Sequence, residues 1–118
     1  LCIKNTIVNV SAVIFKKDNK IEFDKLLSEA IKYKLSGDWY VYSKVLLDGY
    51  ISYSIDSLNY HRIHQNSVTE NTNNDLILKE MQIIQEDIEK YVIIKAEIKE
   101  QIMENRKKIF KKEKNEYE

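Results

Sequence analysis

The chain has 118 residues, enough for one domain. It carries 19 Lys+Arg against 19 Asp+Glu, and that zero net charge excludes a protein whose whole surface is a basic footprint for nucleic acid. A 43% hydrophobic and 32% charged composition is that of a globular chain, no apolar run approaches the ~20 residues needed to cross a bilayer, and the single cysteine, Cys2, excludes an internal disulfide and any multi-cysteine zinc site.

Two features are unusual. There is no proline, and the two glycines are Gly37 and Gly49. The chain also begins at Leu1 rather than Met, as a piece of a longer protein would.

In chain order, residues 6–15 (TIVNVSAVIF) are dense in β-branched side chains and almost continuously apolar, which predicts a strand buried on both faces. The polar stretch 16–20 follows, with Asp18 or Asn19 suited to cap a helix. Phe23, Leu26, Leu27, Ala30 and Ile31 recur at helical spacing and predict an amphipathic helix over 21–35, broken by Ser36–Gly37. A second helix is expected over 38–48. Asp38 stands at its start, where the free N–H groups and the macrodipole favour a carboxylate, and Gly49 serves as its stop. Residues 50–55 (YISYSI) alternate like a short strand, 56–59 are turn material, and 60–64 resume an extended segment. Residues 65–75 contain one aliphatic, Val68, and read as a linker.

From about Asn74 onward one long helix is expected. Ile77, Met81, Ile84, Ile88 and Tyr91 follow a 4-3-4-3 spacing that continues through Ile98, Ile102 and Ile109. A helix of roughly 40 residues would be about 60 Å long, more than the diameter of a small domain, so a break or a partner is called for. The stripe over 76–109 suits a homodimer. Two units follow, 1–70 and a helical extension, 71–118.

Three pieces carry the chemistry: NVSAVIF at 9–15, Gly37-Asp38-Trp39-Tyr40, and LNYHRIH at 58–64 with Ser67-Val68-Thr69 after it. Asp38 can act as a general base if a hydroxyl comes within about 3 Å, or it can simply cap its helix. His61 and His64 are three apart, which on a strand places them on opposite faces and makes a shared metal unfavourable. Arg62 can pair bidentately with a phosphate, or serve as a surface strand residue.

In that order and spacing the three pieces resemble the C-terminal part of the catalytic domain of family 2 glycosyltransferases, over roughly residues 5–69. The resemblance implies an α/β architecture: the C-terminal portion of a GT-A, Rossmann-like domain with a few short strands, two helices and the long C-terminal helix. It implies inverting, metal-dependent transfer of a sugar from a nucleotide-sugar donor to a cell-surface glycan or lipid-linked acceptor. Asp38 would be the acceptor base, Arg62 and His64 would meet the donor diphosphate, and Ser11 and Trp39 would contact acceptor or sugar, with a place in the core the alternative for Trp39. His64 would also approach the Mg²⁺ or Mn²⁺. No Asp-x-Asp occurs in the chain, so its main metal ligands and its nucleotide-binding half are missing. A fragment of this kind is expected to be inactive alone. The alternative is a non-catalytic helical interaction or dimerisation module.

Six cations fall within residues 106–114: Arg106, Lys107, Lys108, Lys111, Lys112 and Lys114. They suit either a peripheral contact with an anionic membrane surface or a solvated helix end that complements the dipole. These features together imply a cytoplasmic protein, at the inner face of the membrane if that contact is made, with no nucleic-acid partner.

Overall fold

The structure, a computed structural model, describes residues 1–7, 10–16, 20–56 and 74–115. Among these residues four helices follow a 3₁₀ turn at Val10–Ala12: α1 (Phe23–Ala30), α2 (Gly37–Val45), α3 (Asn74–Glu89) and α4 (Ala96–Asn115).

Helix α1 opens with Asp24 in its first turn and buries Leu26 and Ala30, one turn apart on one face. It ends before the expected residue 35, and Ile31, which the periodicity placed on the apolar face, is 81% exposed. The chain then turns tightly into α2. A Cβ on Gly37 would lie 2.7 Å from the Ala30 carbonyl oxygen, so only glycine lets the start of α2 abut the end of α1.

Helix α2 buries Trp39, Tyr42 and Ser43. It stops at Val45, where Leu46 closes it in a right-handed conformation. The Gly49 N–H then bonds the Leu46 carbonyl at 3.4 Å. Gly49 has no positive φ, so this stop is a tight turn and not the left-handed glycine cap expected from the sequence.

The long C-terminal helix is two helices. The Tyr91 and Val92 N–H groups both return to the Ile88 carbonyl, closing α3, and the Ile98 and Lys99 N–H groups bond Lys95, opening α4. The break falls at Tyr91-Val92-Ile93-Ile94, four consecutive aromatic or β-branched residues whose χ1 freedom a helix restricts. Folding back lets each half cover the other's stripe. Trp39, Met81, Ile84 and Ile88 form the core, with Leu1, Cys2, Tyr33, Tyr40, Ile77, Ile94 and Ile109 packed around it. Ile102 of α4 is also buried. Of the stripe that suited a partner helix, Met81, Ile84, Ile88 and Ile102 are buried within the chain, while Tyr91 is 60% exposed.

The α/β expectation is overturned: the described residues are helical and contain no strand. Residues 10–12 of the first apolar run form the 3₁₀ turn, and Val10 and Ile14 are 57% and 98% exposed. Residues 50–55 join no sheet either. A strand is stabilised by its neighbours, and two short apolar segments without paired partners do not make a sheet. Residues 60–64 and 65–73, with Asn9, Asp18 and Asn19, lie outside the described residues, while Asn74 and Asp75 begin α3 rather than end a linker. Among the described residues, no helix is long and apolar enough to cross a membrane.

Candidate functional site

Asp38 is the second residue of α2. Its Oδ1 accepts from the Trp39 backbone N–H at 2.7 Å and its Oδ2 from the Asn5 side-chain amide at 3.2 Å. The Asn5 side-chain Oδ1 in turn accepts from the Ile7 N–H at 3.0 Å. The carboxylate thus satisfies one of the free donors of the first helical turn and anchors the N-terminal segment. One turn along, Tyr42 is buried and stacks on Phe15 with ring centroids 5.8 Å apart. Burial first, and then the charge of Asp38, hold the Tyr42 phenol above its ordinary pKa.

Of the other expected site residues, Trp39 is 1% exposed, and its indole N–H donates to the Leu1 carbonyl at 3.0 Å. Its rings are core and present no stacking face to a sugar. Ser11 is exposed in the 3₁₀ turn. Arg62 and His64 lie outside the described residues. The structure therefore joins Asp38 to Asn5, Trp39 and Tyr42.

Two polar constellations on α3 escaped the sequence reading. Glu80, 5% exposed, accepts three backbone N–H bonds from the turn that launches α2: Lys34 at 2.7 Å, Leu35 at 3.0 Å and Ser36 at 2.9 Å. Charge-assisted bonds of this kind offset the cost of burying the carboxylate. Gln85, 1% exposed, donates to the Ile3 carbonyl at 2.8 Å and accepts from Arg106 Nε at 2.8 Å. It ties the N-terminal segment, α3 and α4 together. Both residues flank the apolar stripe: Glu80 lies four before Ile84, and Gln85 four after Met81. A polar residue at the border of a stripe was the available signal.

A third cluster surrounds Lys44. Its ammonium pairs with Asp87 at 2.5 Å and lies 4.2 Å from the Tyr91 ring centroid and 5.4 Å from that of Tyr40. Tyr40 stacks on Tyr33 at 5.1 Å. Burial works to lower the Lys44 pKa, but the hydrogen bond and charge of Asp87 leave it above its ordinary value. Burial raises Tyr33 and Tyr40.

These groups bridge elements of the fold. Among the described residues, no group of three or more His, Cys, Asp and Glu could hold a metal ion. Both oxygens of Asp38 accept from N–H donors. No family model, no curated protein and no solved structure matches this chain.

Proposed function

We propose that this chain is a non-catalytic interaction module: a small helical scaffold that self-associates through residues 50–55. One observation carries the reading. Tyr50, Ile51, Tyr53 and Ile55 are 102%, 64%, 86% and 88% exposed within six residues. Large apolar side chains clustered on a surface are the chemistry of a docking patch, whereas singly scattered ones need no explanation. Full burial of each is worth about 1.5–3 kcal/mol before the costs of association.

The charged side chains point the same way. Asp38, Glu80 and Asp87 are engaged in holding helices and turns, which is what a scaffold requires. The catalytic alternative would need Asp38 turned towards an acceptor hydroxyl with His64 beside it.

Light scattering over a concentration series tests the proposal. The native chain is expected to reach twice the mass of 14.1 kDa, and Tyr53→Ser with Ile55→Ser to shift it to monomer. A native monomer at every concentration would sink it. Hydrolysis of a nucleotide-sugar donor, lost in Asp38→Asn, would establish the catalytic reading instead.

A further inference from the structure

A second surface lies on a different segment. We infer that the C-terminal half of α4 docks on the surface of an anionic lipid bilayer.

Charge along α4 is polarised. Residues 96–105 carry Glu97, Glu100 and Glu104 against Lys99, whereas residues 106–114 carry six cations against Glu113. Zero net charge over the chain makes this a local patch and not a general basic surface. Cations in a last turn complement the helix dipole, but that effect gives no reason for apolar side chains among them. Met103 and Phe110 are 57% and 51% exposed. Spacings of four and three place Met103, Lys107 and Phe110 in one row on the helix. The buried Ile102 and the half-buried Ile98 and Ile109 occupy the face turned to the core.

Beside that row lies a cleft of about 360 Å³ between α3 and α4, lined by Leu78, Gln82, Arg106, Lys107 and Phe110. It combines apolar walls with a cationic rim. An anionic amphiphile has the complementary shape and charge: an acyl chain meeting an apolar wall, a phosphate meeting Lys107. An amphipathic helix with basic residues about an apolar row lies in the plane of a bilayer interface and does not cross it. A nucleic acid would use the cations but would gain little from the aliphatic Met103 or from a cleft walled by Leu78.

The test is sedimentation of the full chain with vesicles of phosphatidylcholine alone or of phosphatidylcholine containing phosphatidylserine. Binding is expected to the phosphatidylserine vesicles only, and to be lost at high salt, where the Debye length falls to about 3 Å. Lys107→Glu with Lys108→Glu, both exposed positions, is expected to weaken partitioning by at least about tenfold. Phe110→Ser is expected to weaken it severalfold at unchanged charge. Circular dichroism on each variant confirms that the helices persist, and the double lysine variant decides the matter if Phe110→Ser fails to fold. Equal sedimentation with both vesicle types, sedimentation with neither, or binding of poly(U) RNA without binding of vesicles would overturn the inference.

Discussion

The seam between α2 and α3 and the segment 50–55 invert the usual distribution of side chains. At the seam a carboxylate is buried: Glu80 is 5% exposed. In the segment, Tyr50, Ile51, Tyr53 and Ile55 are turned to solvent. The two differ in whether the backbone needs the side chain. The turn at 34–36 carries three N–H groups that no helix satisfies, and Glu80 supplies the acceptors. Leaving those groups unpaired would cost more than burying the carboxylate. Among the described residues the segment 50–55 makes no comparable bond to the helices, and its apolar side chains face solvent. Polar burial here specifies the fold, and apolar exposure marks where the fold stops.

Breaking the seam should have the largest effect. Glu80→Gln keeps the size of the side chain but replaces one acceptor oxygen by a donor facing N–H groups. At least one of the three bonds becomes a clash of donors, and the charge that strengthened all three is lost. The expected destabilisation is about 2–3 kcal/mol, read as a fall in the urea midpoint with the slope unchanged. A midpoint within error of the native chain would mean that water satisfies the turn as well as Glu80 does.

The same contrast explains what could be read from the sequence. The helical periods of α1 and α3 were legible because periodicity acts locally, but α1 ends at Ala30, before the expected Ser36–Gly37 break, and Gly37 opens α2. The length of the expected C-terminal helix called for a break or a partner; the structure has the break, and its position was not legible. Position depended on the β-branched run at 92–94 and on where α4 could meet the Trp39 core. The apolar run 6–15 was misread as a strand because continuous apolarity signals burial but not partners. Asp38 was rightly placed at the start of α2, while its partner Asn5 lies 33 positions away. The partners of Glu80 lie 44–46 positions away, and no local pattern encodes such contacts.

A smaller effect is expected at Lys44, where charge and aromatic rings share the work. Lys44→Met keeps the stem but removes the ion pair with Asp87 and the contacts with Tyr91 and Tyr40. The loss should be about 1–2 kcal/mol near neutral pH, since the site is partly exposed and screened. The pH dependence has a definite sign. Folding raises Lys44 above its ordinary 10.5, and Tyr33 and Tyr40 above 10.0. A group raised in the folded state contributes stability that is complete below its unfolded pKa and disappears as pH climbs through its folded pKa. Stability should therefore decline above about pH 10, the ordinary tyrosine value. Lys44→Met removes the lysine's share of that decline, and because the Lys44 charge also lowers Tyr33 and Tyr40, the tyrosine share should extend to higher pH in the variant. Urea midpoints across an alkaline series measure the profile, and a profile unchanged in both size and pH range would remove Lys44 from the account.

The smallest effect on folding should come from the exposed segment, and there a near-zero value is the informative one. Tyr53→Ser removes an aromatic ring that is 86% exposed. A core aromatic replaced by a small residue costs about 3–5 kcal/mol, because burial is lost and a cavity remains. At position 53 there is no burial to lose, so the expected change is within about 0.5 kcal/mol. Thermal unfolding of a dilute sample gives this value, because dilution removes any stabilisation by self-association. At high concentration the native chain should melt higher than the variant, and the gap should close on dilution. Glu80→Gln should show the opposite behaviour, with a deficit that persists at every concentration. A concentration-independent loss of about 2 kcal/mol in Tyr53→Ser would mean that the ring packs on its own fold, and the contrast between seam and segment would fail.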